Sequence, residues 1–215
     1  VTGIRSRRFW PRHLRPSDVA TNAAKGVLQN TNFDMQKIGA LVSTSVCKDY
    51  LEPSVAAFVH GNLGLPPSCQ NFDAGNACLG FLTGMLLVAD QIELGRIQAG
   101  MVVAGESSRE PTEATIARLK DPAANMTTFR DNLATLTLGS AGVAMILTNR
   151  SISTTGHSFL GGISQAATQW SKLCVGTSTK MTTDPAKLTS PMGIFLKTDN
   201  SNVTTPHRPS QGGIP

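Results

Sequence analysis

Cys78 is the residue of this sequence whose position best suits covalent chemistry. It follows residues 71–73, which have the character of a short strand, and it precedes an apolar run over residues 81–89 that is typical of a helix. A thiol in the first turn of a helix lies near unpaired N–H groups and the positive end of the helix dipole, which stabilise the thiolate. The small neighbours Ala77 and Gly80 leave room beside the sulfur. The position predicts a nucleophile, although cysteine is also a common small residue of protein cores.

The three other cysteines do not suggest a metal or disulfide framework. Cys47, Cys69 and Cys174 form no C-x-x-C pair, and no cluster of histidines lies near them. An unbridged, reactive thiol favours a reducing compartment. The sequence shows no signal peptide and no run of eighteen apolar residues, so it predicts a cytoplasmic protein without a membrane span.

Positive charge is concentrated near the start of the chain. The net charge is +5, and the basic residues of this segment are Arg5, Arg7, Arg8, Arg12, His13 and Arg15. Such a segment is either a solvated loop or a patch for an acidic partner, for example a phosphorylated cofactor or an acidic carrier protein. Aromatic residues are only 5% of the chain, so nucleic acid is the weakest of these candidates.

Helix and strand patterns alternate along the first half of the chain. Helices are predicted over residues 17–30, 53–63 and 78–94, and buried strands over residues 38–46, 70–73 and 100–105. Ser17 and Asp18 can cap the first helix, Pro53 suits the first turn of the second, and Gly64 and Gly95 suit helix ends. Continuous apolar strands that alternate with helices predict an α/β fold around a mostly parallel sheet.

The pattern changes after the third strand. Residues 107–132 have mixed polarity and are predicted to form an excursion from the sheet, with a helix near residues 113–120. Residues 136–147 are predicted to return as a strand, and residues 152–161 to form another strand antiparallel to its neighbour. Residues 201–215 are predicted to be a disordered tail.

Five short strings occur in the order found in one enzyme family. They are Thr-Gly-Ile-Arg at residues 2–5, Asp-Tyr-Leu-Glu-Pro-Ser at 49–54, Asn-Ala-Cys-Leu-Gly at 76–80, Ala-Asp-Gln-Ile at 89–92 and Val-Val-Ala-Gly-Glu at 102–106. Together they resemble the ketoacyl synthase III branch of the thiolase superfamily. Within that branch the string at 76–80, with those at 92–95, 106–110 and 160–162, is most similar to the OleA-like group, which condenses two long acyl-CoA molecules head to head. The resemblance covers about residues 2–200.

The resemblance implies a fold of two similar halves in five layers, αβαβα, and a homodimer. Residues 1–200 would be the N-terminal half, with an insertion near 107–132. The resemblance also implies that Cys78 takes an acyl group from acyl-CoA as a thioester. A second acyl-CoA would then lose an α-proton and attack that thioester in a non-decarboxylative Claisen condensation, giving a 2-alkyl-3-ketoacyl product. Acyl-CoA would be the substrate, and no separate cofactor is implied.

The resemblance assigns the general base to Glu52, which would reach into the partner subunit's site. The residue pattern alone shows only an acidic residue before a helix, where the helix dipole favours it. Glu106 and Glu110 are the alternative bases that the pattern leaves open.

The histidine, the asparagine and the glycine-rich oxyanion loop from the family's C-terminal half have no match. His60, His157 and His207 do not fit the family's histidine, and nothing supports Asn76 or Asn132 as substitutes. The 215 residues are therefore expected to be an N-terminal-half fragment that lacks the C-terminal half and, by itself, forms an acyl-enzyme poorly.

Two other functions stay open on the sequence. One is a 3-oxoacyl carrier-protein synthase III, which decarboxylates a malonyl carrier protein during fatty acid synthesis. The other, from a different class, is a catalytically incomplete module that only binds or acts as a scaffold.

Overall fold

The computed structural model describes residues 3–172, 174–177 and 195–198. The main sheet contains β1 (Ile38–Ser43), β2 (Gln70–Asp73), β3 (Ala99–Glu106) and β4 (Ala141–Thr148), in the spatial order β2-β1-β3-β4. β1 is parallel to both β2 and β3, whereas β4 is antiparallel to β3. A separate antiparallel pair is formed by β5 (Cys174–Thr177) and β6 (Phe195–Thr198). The predicted mostly parallel sheet is confirmed.

Five α-helices occur in the described residues: α1 (Pro16–Thr31), α2 (Val55–Leu63), α3 (Gly80–Glu93), α4 (Arg109–Leu119) and α5 (Met126–Asn132). Short 3-10 turns are formed by Met35–Lys37, Ala77–Leu79, Thr135–Thr137, Arg150–Ile152 and Thr168–Trp170. Across the described ranges, no helix has both the length and the apolar character needed to cross a membrane.

Helix ends follow local capping chemistry. The hydroxyl of Ser54 accepts a 3.1 Å hydrogen bond from the Ala57 N–H, so α2 begins two residues later than predicted and Pro53 lies outside it. Asp18 caps α1 as expected, because its carboxylate accepts a 2.9 Å bond from the Arg15 N–H. Ser17 is not a cap; its backbone and hydroxyl both donate to the buried carboxylate of Asp49.

The sheet lies between two helical layers. Leu41 and Met101 face the side covered by α1 and α2, whereas Val42 and Val102 face α3 and pack with Val88. Successive strand residues point to opposite faces, so buried residues on both faces require helices on both sides. The result is the α/β layering that the sequence predicted.

Further predicted boundaries and one predicted strand differ from the structure. Residues 152–161 form no strand; after Arg150–Ile152 the backbone is irregular, and Gly156 and Gly161 adopt left-handed φ angles of 70° and 96°, which break a pleated strand. The return strand begins at Ala141, since Thr135–Thr137 forms a 3-10 turn. The excursion at 107–132 holds α4 and α5, and α4 begins four residues before the predicted helix. The predicted tail at 201–215 lies outside the described residues.

Candidate active site

Cys78 lies in a turn that links the edge strand β2 to α3. The Ala74 N–H donates to the Ser43 carbonyl oxygen at 2.8 Å, which extends the ladder between β1 and β2 past its last paired residues. Ala77 then adopts a left-handed φ of 43°, and the Leu79 N–H donates to the Asn76 carbonyl oxygen at 2.9 Å. An alanine in this conformation is strained, and such strain occurs where a turn must present one side chain. Cys78 is exposed.

The sequence predicted Cys78 in the first turn of a helix over residues 78–94, whereas the structure places it in the 3-10 turn Ala77–Leu79, and α3 begins two residues later at Gly80. Gly80 also has a packing role. A methyl group on Gly80 would lie 2.8 Å from the Thr44 carbonyl oxygen, so the missing side chain allows α3 to approach the end of β1. Gly80 therefore fixes the start of the helix that follows the thiol.

Glu52 lies on the segment between β1 and α2. This segment follows the carboxyl end of β1, as the Cys78 turn follows the carboxyl end of the parallel strand β2. Glu52 is exposed, and its peptide bond with Pro53 is cis. Leu51 beside it is 64% exposed. The described residues contain no hydrogen bond or ion pair between Glu52 and Cys78. The two predicted site residues therefore both follow the carboxyl ends of strands but make no direct polar contact.

Asp73 connects the segment that carries Glu52 to the strand that leads to Cys78. The sequence patterns did not predict this role. The Asp73 carboxylate accepts hydrogen bonds from the Ala56 N–H at 2.9 Å and the Val55 N–H at 3.2 Å, and it pairs with the Lys48 ammonium at 3.0 Å. The available signal was an acid at the carboxyl end of a strand, beside a helix whose first N–H groups need an acceptor.

The other described thiols lie in different surroundings. Cys47 donates to the Ser107 carbonyl oxygen at 3.2 Å, and burial, with a smaller contribution from the nearby Glu106, raises its pKa to about 12. Burial raises the pKa of Cys69 to about 11. Among the cysteines whose side chains are described, only Cys78 is exposed.

A scan against protein-family models gave no match. The chain is 42% identical over 184 residues to the acyl-CoA:acyl-CoA alkyltransferase of Xanthomonas campestris, an alignment that covers 86% of this chain and 54% of that protein. The protein of the same name from Shewanella oneidensis is 44% identical over 178 residues, covering 81% and 50%. A crystal structure of X. campestris OleA superposes with a TM-score of 0.79 at 41% identity, covering 82% of this chain and 52% of that chain.

The chain is similar in sequence and in fold to the OleA-like group of the thiolase superfamily. The predicted resemblance is thereby confirmed. A ketoacyl carrier-protein synthase III from Koribacter versatilis is more distant, at 32% identity over 105 residues, which cover 49% of this chain and 31% of that protein. The chain spans about half the length of the curated OleA-like relatives that it matches.

The two alternative bases lie in different surroundings from Glu52. The carboxylate of Glu106 accepts the Val46 N–H at 2.5 Å and the Cys47 N–H at 3.2 Å, so it holds the loop after β1 against the end of β3. Glu110 is partly buried in the first turn of α4, where burial and, to a lesser degree, the neighbouring Glu113 raise its pKa. Of the three acids, only Glu52 is exposed.

Three of the side chains that did not fit the family's histidine and asparagine have polar partners within the fold: His60, Asn76 and Asn132. A ring nitrogen of His60 lies 3.2 Å from the Pro66 carbonyl oxygen. The Asn132 side chain is buried and bonded to Arg118 and to the Thr128 carbonyl oxygen. Asn76 donates from its side chain to the Thr83 hydroxyl at 2.8 Å, which ties the Cys78 turn to α3. His207 lies outside the described residues.

Proposed function

We propose that this chain carries the nucleophile and the general base of an enzyme that condenses two long-chain acyl-CoA thioesters without decarboxylation. The observation that carries the proposal is the exposed thiol of Cys78 on a strand-turn-helix junction, in a chain that is similar to the OleA-like group. Its relatives are named acyl-CoA:acyl-CoA alkyltransferases. A cysteine-to-serine variant of X. campestris OleA has been solved with lauric acid and lauroyl-CoA bound.

The first step is acyl transfer to sulfur. The Cys78 thiolate attacks the carbonyl carbon of one acyl-CoA, a carbon–sulfur bond forms, and the bond to CoA breaks. CoA leaves as a thiolate and takes up a proton. A thiolate suits this step because it is both a good nucleophile and a good leaving group.

The second step forms the carbon–carbon bond. Glu52 takes an α-proton from a second acyl-CoA, and the carbanion attacks the acyl-Cys78 carbonyl. The bond to Cys78 breaks and the product is a 2-alkyl-3-ketoacyl-CoA. No carboxyl group is lost, so acyl-CoA serves as both donor and acceptor and the reaction balances without an added cofactor.

The spacing of two residues supports Glu52 as the base. Structures of X. campestris OleA include variants of one glutamate and one cysteine that lie 26 positions apart in that enzyme, and Glu52 and Cys78 have the same separation. In the proposal Glu52 acts in the site of a second subunit. β2, which leads to Cys78, is an edge strand of the main sheet in the described residues, and the Val55 N–H, three residues after Glu52, bonds to its last residue, Asp73. An edge strand suits contact between two copies.

Mass spectrometry of the full-length protein incubated with a long-chain acyl-CoA tests both roles. The unaltered protein should gain one acyl group on Cys78 and release the condensed product. Cys78→Ala should lose both, whereas Glu52→Ala should keep acylation and lose the product. Glu93→Ala is the matched control, because it removes another exposed acid, in the last turn of α3. This variant should retain both the acylation of Cys78 and the release of product. Acylation of Cys47 or Cys174 in place of Cys78 would refute the site.

The 32% identity with a ketoacyl synthase III favours one second candidate, a decarboxylating synthase. The two activities differ in what they consume. Product formed from acyl-CoA alone supports the proposal, whereas product that forms only after addition of a malonyl carrier protein, with release of carbon dioxide, supports the alternative. An intact protein that is never acylated would favour a binding or scaffold module.

A further inference from the structure

The carboxylate of Asp73 uses both oxygens at once. Oδ1 accepts the Ala56 N–H at 2.9 Å, while Oδ2 accepts the Val55 N–H at 3.2 Å and lies 3.0 Å from the Lys48 Nζ. The Asp73 side chain is only 14% exposed. Solvent screens such a pair less than one on the open surface, and hydrogen bonds to a charged group are the stronger kind.

The residues bonded to Asp73 lie on either side of Glu52. Lys48 precedes Glu52 by four residues and Val55 follows it by three, so one carboxylate holds both ends of the segment 49–54. The same carboxylate belongs to the last residue of β2, the strand from which the chain continues to Cys78.

We infer that Asp73 is a positioning residue, which holds the segment carrying Glu52 against the strand that leads to Cys78. The inference rests on the proposed function, in which those two residues act in successive steps. A base that removes a proton from carbon must be held close to one geometry, whereas Leu51, Glu52 and Pro53 are all exposed.

The Cys78 turn has anchors that do not involve Asp73. The Ala74 N–H bonds to the Ser43 carbonyl oxygen, the Asn76 side chain bonds to Thr83, and Gly80 lies against Thr44. Asp49 and Tyr50 at the start of the Glu52 segment are also held, by Ser17 and Arg15. Loss of the Asp73 carboxylate should therefore loosen the exposed residues that follow them, including Glu52, and leave the thiol in place. The two chemical steps should respond differently.

The test uses Asp73→Asn, Lys48→Met and Lys48→Arg in the full-length protein. The asparagine keeps the size of the side chain but removes the charge that holds Lys48, and the arginine restores a cation that methionine lacks. Asp34→Asn is the matched control, since Asp34 also caps a short helix, through a 3.0 Å bond from the Gln36 N–H, away from both site segments. The measurements are the rate of Cys78 acylation, the rate of product release and the hydrogen exchange of residues 49–54.

Asp73→Asn should slow product release about 10- to 100-fold, the loss expected from a small misplacement of a catalytic group, and should change acylation by less than about twofold. Hydrogen exchange should rise over residues 49–54. Lys48→Met should show a smaller loss of the same kind, whereas Lys48→Arg and Asp34→Asn should match the unaltered protein.

Two results would overturn the inference about Asp73: an equal fall in acylation and product release, or unchanged hydrogen exchange over residues 49–54. Failure of the proposed function is a separate result. In that case the unaltered protein itself would neither be acylated nor release product from acyl-CoA, and Asp73 would position no reacting group.

Discussion

Cys47 and Cys78 both follow strands of the main sheet, yet their surroundings differ. Cys47 is half-buried beside Glu106, and its pKa is raised to about 12. Cys78 is exposed on a strained turn at the start of a helix. A buried thiol near a carboxylate stays protonated at neutral pH and reacts slowly, because the thiolate is the nucleophile. Environment, more than residue type, separates the structural cysteine from the proposed catalytic one.

The raised pKa of Cys47 predicts a pH dependence of stability. An unfolded cysteine has a pKa near 9.0, against about 12 in the folded chain. Between these values the unfolded thiol loses its proton while the folded one keeps it, so the contribution of Cys47 is present below pH 9 and is lost as the pH rises toward 12. Cys47→Ser, whose hydroxyl can still donate to the Ser107 carbonyl oxygen, removes this titration.

Urea unfolding of the two proteins at pH 8 and pH 10.5 checks the prediction. The free energy of unfolding of the unaltered protein should fall, relative to Cys47→Ser, as the pH increases. Other titrating groups are common to both proteins and cancel in the difference. A difference that is constant with pH would contradict the buried environment of Cys47.

The sequence singled out Cys78 because a cysteine between a strand and a helix is a local pattern, and the structure places an exposed Cys78 at that junction. Asp73 was missed, since its partners Lys48 and Val55 are 25 and 18 residues away and meet it only when β1 and β2 pair. The assignment of Glu52 came from family resemblance, because a carboxylate before a helix has an ordinary structural explanation. Local chemistry can be predicted at single positions, whereas contacts across the sheet depend on the fold.

At the scale of elements, the contact between α3 and the sheet depends on two glycines of the helix. A methyl group on Gly80 would lie 2.8 Å from the Thr44 carbonyl oxygen, and one on Gly84 would lie 2.7 Å from the Thr44 methyl and 2.8 Å from a Val102 methyl. The backbone oxygen cannot rotate away, and both side chains are β-branched and buried. The helix therefore approaches the strands closely only while these positions lack a side chain.

Gly80→Ala should lower the free energy of unfolding by about 1–2 kcal/mol, since overpacking costs about 1–3 kcal/mol and the gain in helix propensity is at most about 1 kcal/mol. Gly26→Ala in α1 is the matched control. No atom lies within 4 Å of the methyl group that it adds, so it should stabilise the protein by about 0.5–1 kcal/mol. Chemical denaturation of both variants measures whether each change raises or lowers the free energy of unfolding. Stabilisation by Gly80→Ala would show that α3 can move away from Thr44.

The elements that the sequence predicted well have strong local signals. The buried strands are continuous apolar runs, and Gly64 and Gly95 end their helices with left-handed φ angles of 66° and 67°. The strand predicted at residues 152–161 failed because apolar residues occur there without a partner strand; Leu160 is 95% exposed. Apolar character predicts a strand only where the sheet offers an edge to pair with.

At the scale of the whole molecule, apolar side chains are exposed on the α3 side of the sheet. Leu79 and Leu82 are each 55% exposed, and Val143 and Met145 of β4 are also exposed. The five-layer arrangement implied by the family would place a further layer here, which the local patterns of this sequence could not have indicated.

The last prediction concerns the assembly in which Glu52 acts. If Glu52 serves the site of its partner, a mixed dimer of Glu52→Ala and Cys78→Ala subunits contains one complete site, formed by Cys78 of the first subunit and Glu52 of the second. Each variant alone has none. Random mixing makes half of the dimers mixed, so co-expression should restore about a quarter of the activity per site. If Glu52 instead serves its own subunit, every site in every dimer lacks one group, and no activity returns. The rate of product release from acyl-CoA, measured with the two variants separately and co-expressed, therefore separates the two arrangements.

Mixing the unaltered protein with the double variant gives the reciprocal control: activity per unaltered subunit should fall by about half only if the residues act across the interface.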